Sequence, residues 1–281
     1  MSARPPKNTE TSKTAKNAKP AKPAKSNKPG KNTKPSRRIA AIGAIVALVV
    51  AVAAAGIAIG KSAGGSGKRE PSATAGAADD PQQKAYDQYD KATARRQDGD
   101  PLALGKADAP VVLVEYADYQ CSFCGRFTRE TQPELIKKYV DTGVLRIEFR
   151  NFPIFGDPSV RAARASWAAG QQGRFHAFHD ELFAKLRKGD ALAEDKLVDM
   201  ARTAGVTDLD RFRTDMNGSA AEAAVKKDQE QGYAIGVQST PSFLVNGRPL
   251  AGAQPLSAFE DVIAQAKAAK EAQAGDGKPG K

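Results

Sequence analysis

Cysteine, histidine and tryptophan are scarce in this chain of 281 residues, which holds two Cys, two His and one Trp. Two cysteines exclude a disulfide-stapled scaffold and a four-cysteine zinc module, so the fold must rest on apolar burial. Acid is in deficit as well: 43 Lys plus Arg face 32 Asp plus Glu, a net charge of +11. Such an excess suggests a nucleic-acid binder. Residues 1–38, however, contain nine Lys, three Arg and one Glu, which is already +11, so the remainder of the chain sums to zero. The basicity belongs to a tail. No aromatic residue interleaves its lysines to stack on bases, which argues against nucleic acid as the partner.

The tail repeats Ala, Lys and Pro, as in residues 18–25, and lacks the apolar surface needed to offset its ordering entropy, so 1–38 reads as disordered. It gives way at Ile39 to an uncharged run reaching Ile59. As a helix this run spans roughly 30 Å, the hydrocarbon thickness of a bilayer. Ala53-Ala54-Ala55 offers a signal-peptidase site, but the run exceeds the usual h-region of about 7–15 residues, and the preceding basic stretch is long for a signal peptide. Residues 39–60 therefore read as a transmembrane signal-anchor helix in the lipid bilayer, with the basic tail cytoplasmic and everything beyond extracytoplasmic. Residues 61–84, rich in Gly, Ser and Ala, read as a flexible linker.

A domain is expected over 85–274, with a polar tail at 275–281. Tyr86, Tyr89 and Ala92 mark a short first helix. Val111–Tyr116 is a continuous apolar run after Ala109-Pro110 and reads as a buried strand. Residues 121–140 read as a helix interrupted at Pro133. Leu145, Ile147 and Phe149 alternate with Arg146, Glu148 and Arg150 in a second strand. A helical block follows over about 157–236, broken at Gly170, Gly173, Gly189, Gly205 and Gly218. Residues 242–250 form a hairpin about Asn246-Gly247, and a last helix runs from Leu256 to about Ala269.

The only cysteine pair is Cys121-Ser122-Phe123-Cys124, placed after a strand and at the start of a helix. There the helix N-terminus stabilises the thiolate of Cys121, and Cys124 lies one turn in, close enough to resolve it. Two other readings compete. A zinc half-site needs further ligands, and His176 and His179, three residues apart, lie on a distant helical segment. An inert disulfide closing so short a loop removes little entropy from the unfolded chain. Glu115 is an acid inside the apolar strand, which calls for a partner such as Arg146 or Arg150, or for a chemical role. Trp167 and its neighbouring phenylalanines read as core or groove lining.

Strand, C-x-x-C, second strand, helical block and then Ser239-Thr240-Pro241-Ser242-Phe243-Leu244-Val245-Asn246-Gly247 together resemble the thioredoxin superfamily, and within it the DsbA-like thiol:disulfide oxidoreductases, over about residues 101–270. The resemblance implies an α/β thioredoxin-like fold with an inserted helical block. It implies Cys121 and Cys124 as the catalytic pair and no cofactor or metal. It further implies that Pro241 is the cis-proline facing them, that Thr240 before it modulates the pair, and that Glu115 is the buried acid beneath it. Ser122 and Phe123 stand where the best-known strong oxidant of the family has Pro-His, which bears on redox potential. Implied partners are cysteine-containing secreted or envelope proteins and a DsbB- or VKOR-like membrane reoxidant. The same site can run as a reductase or isomerase, and a peptide-binding module with a structural disulfide is the non-enzymatic alternative.

Overall fold

The computed structural model describes residues 80–276. The basic tail, the apolar run at 39–60 and nearly all of the linker lie outside the described residues. Among those described, no helix is long and apolar enough to cross a membrane.

A five-stranded sheet organises the domain. At its centre β2 (Val111–Ala117) is buried at every residue, as its valine-rich run requires when both faces are covered. β3 (Leu145–Asn151) lies parallel to it, with Glu115 opposite Phe149. On the other side β4 (Ser242–Val245) is antiparallel, with Glu115 opposite Phe243, and β5 (Arg248–Ala251) closes the hairpin. Asn246 and Gly247 both have positive φ, the conformation a two-residue hairpin turn demands. β1 (Ala103–Leu104), which the sequence reading missed, pairs antiparallel with β3 and completes the order β1-β3-β2-β4-β5. Two residues carry no legible alternation, so only the pairing defines this strand.

One face of the sheet packs Leu113, Ile147 and Phe243 against Phe127, Phe259 and Ile263. The other packs Val112, Val114 and Tyr116 against Phe152 and Ile235. The charged side of β3 points into this second layer and is buried too, with Arg146 at 3%, Glu148 at 0% and Arg150 at 0% exposure. Glu148 pairs with Arg146 at 2.9 Å and Arg150 at 2.7 Å, and accepts the backbone N–H groups of Arg95 and Arg96. Burial alone would raise its pKa, but the Arg150 charge and these hydrogen bonds bring it down to about 2.

Helix α1 (Pro81–Thr93) begins inside the stretch read as linker, because Asp80 caps it by accepting from the Gln82 N–H and Pro81 suits a first turn. The helix after the cysteine motif is segmented. α2 (Ser122–Arg126) passes through a π-helical turn, Phe127–Thr131, into α3 (Gln132–Leu135) and a second π-helical turn, Ile136–Val140. The interruption expected at Pro133 thus appears as a widened turn before it, with Gln132 N–H reaching back to Phe127 O.

The helical block comprises α4 (Asp157–Gly170), α5 (Phe175–Phe183), α6 (Glu194–Thr203), α7 (Leu209–Asn217) and α8 (Ser219–Ala234), with a 3-10 turn at Gly189–Leu192. Phe175, Phe178, Leu182, Leu197 and Phe212 fill its core, against which Trp167 packs half-buried. The last helix, α9 (Leu256–Asp276), outruns the expected end at Ala269 and includes Gly275. Lys270–Ala274 are good helix formers with no breaker among them.

Candidate functional site

Cys121 ends the loop after β2 and stands immediately before α2, its N–H donating to Asp118 O at 3.0 Å. Its side chain is nearly covered, at 6% exposure, and Cys124 one turn on is fully buried. Both are free thiols. The Cys124 thiol is the largest influence on Cys121, holding its pKa down at about 6 against the opposing effect of burial. The Thr240 side chain and the N–H groups of Cys124 and Phe123 act in the same direction. For Cys124 burial, followed by the Cys121 sulfur, pushes the thiol well above its ordinary value. Two neighbouring sulfurs driven apart in this way suit a nucleophile and a buried resolving thiol, and an inert cross-link has no need of the asymmetry.

The loop before β4 closes over the pair. The Thr240–Pro241 peptide bond is cis, Pro241 is buried, and the Thr240 carbonyl accepts from Cys121 Sγ at 3.2 Å. Ser122 and Phe123 are exposed, Phe123 at 56%, with the Arg126 guanidinium 5.5 Å from its ring centroid. The rim of the site is therefore apolar with a cation beside it.

Glu115 is fully buried on β2, and the ion pair with Arg146 or Arg150 that the sequence suggested does not form. Those arginines lie on the opposite face of the sheet, where Glu148 occupies them. Neither Glu115 oxygen has a hydrogen-bond partner among the described residues. Burial, reinforced by the Cys121 sulfur, raises its pKa to about 8, so at neutral pH it is a protonated acid.

Sequence reasoning missed a clamp that positions the cysteine loop. Asp118 Oδ1 accepts from Gln120 N–H at 2.7 Å and Ser159 Oγ at 2.6 Å, while Oδ2 accepts from the N–H groups of Ile154 and Phe155. Gln120 Nε2 donates to Phe155 O and Ser159 Oγ, and its Oε1 accepts from Gly189 N–H. The loop is tied in this way to β3's exit, to α4 and to the 3-10 turn. An Asp two residues before Gln at a strand–helix joint is an Asx-turn signal that could have flagged it.

The two histidines do not converge. His176 Nε2 lies 3.1 Å from Ala103 O, and His179 sits among Tyr119, Phe149, Phe175 and Phe183. Among the described residues no three His, Cys, Asp or Glu side chains form a group suited to a metal ion.

The family model described as thioredoxin matches residues 97–265, more than half of the chain. This chain belongs to the thioredoxin family. The thioredoxin-family protein is 32% identical over 150 residues to a probable disulfide bond formation protein D of Bacillus cereus, a match covering 52% of this chain and 69% of the relative. It superposes on oxidised BdbD from Bacillus subtilis with a TM-score of 0.56 and 26% identity, over 60% of this chain and 94% of that one. It is also 32% identical over 167 residues to Na(+)/H(+) antiporter NhaA 3 of Salinispora tropica, across 58% of this chain and only 24% of the antiporter. Together with the sulfur geometry, these likenesses identify a DsbA-like thiol:disulfide oxidoreductase.

Proposed function

We propose that this enzyme oxidises the dithiols of secreted or envelope proteins on the extracytoplasmic side of a membrane, to which residues 39–60 anchor it. The observation that supports this direction is the placing of Cys121 at the start of α2, against the Thr240–Pro241 loop, with its thiol held down to about 6. A stabilised thiolate favours the reduced enzyme, so the oxidised enzyme takes electrons readily. That a domain similar to this one forms part of a much longer antiporter chain is consistent with work at a membrane.

In the oxidised enzyme a substrate thiolate attacks Sγ of Cys121. The Cys121–Cys124 bond breaks, and Cys124 leaves as a thiolate that takes a proton from Glu115. A second substrate thiolate then attacks the substrate sulfur of the mixed disulfide and expels the Cys121 thiolate. The substrate loses two electrons and the enzyme gains them. Thr240 and Pro241 offer the backbone edge along which an extended substrate lies, while Ser122 and Phe123 face it from the helix. A quinone-coupled membrane protein of DsbB or VKOR type then reoxidises the pair.

Equilibration of the protein with glutathione buffers tests the direction. A Cys121–Cys124 potential well above about −200 mV is expected, and a value near about −270 mV would make the enzyme a reductase. Location is tested by reducing intact cells and then labelling Cys121 with a membrane-impermeant thiol reagent. Labelling only after lysis would refute an outward-facing domain.

A further inference from the structure

Glu115 is an electrostatic neighbour of the buried Tyr119, and other buried polar atoms on this side of the sheet also lack protein partners. Phe149 is the neighbour of Glu115 across the β2–β3 pair, and the Phe149 ring lies 5.7 Å from that of Tyr119 and 5.1 Å from that of His179. Tyr119 and His179 themselves meet edge to face at 6.0 Å. Tyr119 is 2% exposed and His179 is 2% exposed, yet His179 Nε2 has no hydrogen-bond partner among the described residues, as is true of both Glu115 oxygens, and the Tyr119 hydroxyl has none of ordinary length, with the Ser166 side chain its nearest polar neighbour. Leaving one such group unpaired costs about 1–3 kcal/mol, and buried water is the usual remedy when several share a space. The other ring nitrogen of His179 faces outward: Nδ1 lies 3.2 Å from Asp180 Oδ1, and the Asp180 side chain is 73% exposed.

We propose that Tyr119 and His179, bridged by buried water, form the proton path between the Glu115 carboxyl and solvent at Asp180. The inference rests on the acid–base role given to Glu115 above and names what serves it. Each turnover moves one proton between Glu115 and Cys124, and the acid must regain or release that proton although it touches no solvent. Water relays the proton to the Tyr119 hydroxyl, which both donates and accepts, and then to His179 Nε2. A proton gained at Nε2 is matched by one lost from Nδ1 to Asp180 or to water, and the reverse sequence recharges the acid. The titratable groups facing this region are Cys121 and Cys124 from the start of α2 and Asp180 from α5, with Asp118 bound in its own clamp. Tyr119 and His179 are positioning residues, since neither touches substrate.

The test follows how fast Cys124 resolves a Cys121–glutathione mixed disulfide in the full chain, in ordinary and heavy water, with the pH profile of Cys121 alkylation as control. Tyr119→Phe and His179→Phe keep the ring packing, and each is expected to slow resolution at least about tenfold, with a larger solvent isotope effect and an unchanged Cys121 profile. Neither should slow it further in a Glu115→Gln background, because a path to an absent acid carries nothing. Full-speed resolution in both variants, or equal slowing with and without Glu115, would overturn the path while leaving the acid in place. If Glu115→Gln alone resolves at the native rate, the role of the acid fails first. Should His179→Phe fold poorly, Tyr119→Phe decides the matter, as it removes one hydroxyl beside Ser166, whose own hydroxyl keeps its bonds to Asn151 and Ala163.

Discussion

Cys121 and Glu115 are both covered side chains with opposite responses to their surroundings. For Cys121, hydrogen bonds outweigh burial and the thiolate is favoured. For Glu115 nothing offsets burial and the neutral acid is favoured. The first gives a prediction for the redox titration. Below pH 6 reduction takes up two protons with its two electrons and above it only one, so the potential should fall by about 60 mV per pH unit on the acid side and about 30 mV beyond. The bend near pH 6 should vanish if Thr240 and Cys124 do not hold the thiolate. The same depressed pKa makes the reduced protein gain stability as pH rises from 6 towards the ordinary thiol value of 9.0, and lose that gain as pH falls through 6. Glu115 has the opposite sign. Its contribution is intact below the ordinary value of 4.5 and is lost as pH rises through about 8. Relative to wild type, reduced Glu115→Gln should therefore gain on the order of 3 kcal/mol between pH 4 and pH 7, measured by denaturant unfolding. A difference independent of pH would show that the carboxyl is not held neutral.

Elements whose signals are local were legible from the chain alone. The valine-rich strand, the glycine-bounded helices and the Asn246-Gly247 hairpin each depend on neighbours within a few residues. Where an element depends on distant contacts, legibility stops. β1 is defined only by its pairing with β3, whereas the start of α1 carried a local signal, Asp80 before Pro81, that the linker-like composition around it obscured, and its docking against the hairpin was not legible. That docking is close: a Cβ at Gly247 would stand 1.9 Å from Tyr86 O, on a residue with φ of 76°. Gly247→Ala should cost about 2–4 kcal/mol and lower Tm by roughly 5–15 °C, seen by thermal melts. A neutral outcome would mean that α1 is free to lift away from the hairpin.

At the scale of the whole domain, the layer behind the sheet is held by charge as well as by apolar contact. Glu148 joins Arg146, Arg150 and the backbone of Arg95 and Arg96, and Asp228 on α8 pairs with Arg95 while accepting from Asn151 N–H. Removing the acid strips buried Arg146 and Arg150 of the carboxylate they share, leaving Asp228 as the acid near Arg150, so Glu148→Gln should destabilise by about 3–5 kcal/mol. The native contribution is present above the ordinary carboxylate value of 4.5 and is lost as pH falls through about 2, so acid unfolding in that window should flatten in the variant.

Local chemistry already specified the redox pair, its place at a strand–helix junction, the helical block and the hairpin loop that meets it, because each is written in adjacent residues. Partnerships across the chain were beyond its reach. From sequence Glu115 and Glu148 are both acids in or beside apolar runs, and either could have paired with Arg146 or Arg150. The sheet register separates them, placing Glu148 with the arginines on one face and leaving Glu115 alone on the other, beneath the cysteines. Side chains alternate faces along a strand, so which acid becomes a structural anion and which a neutral proton donor follows from what packs on each face.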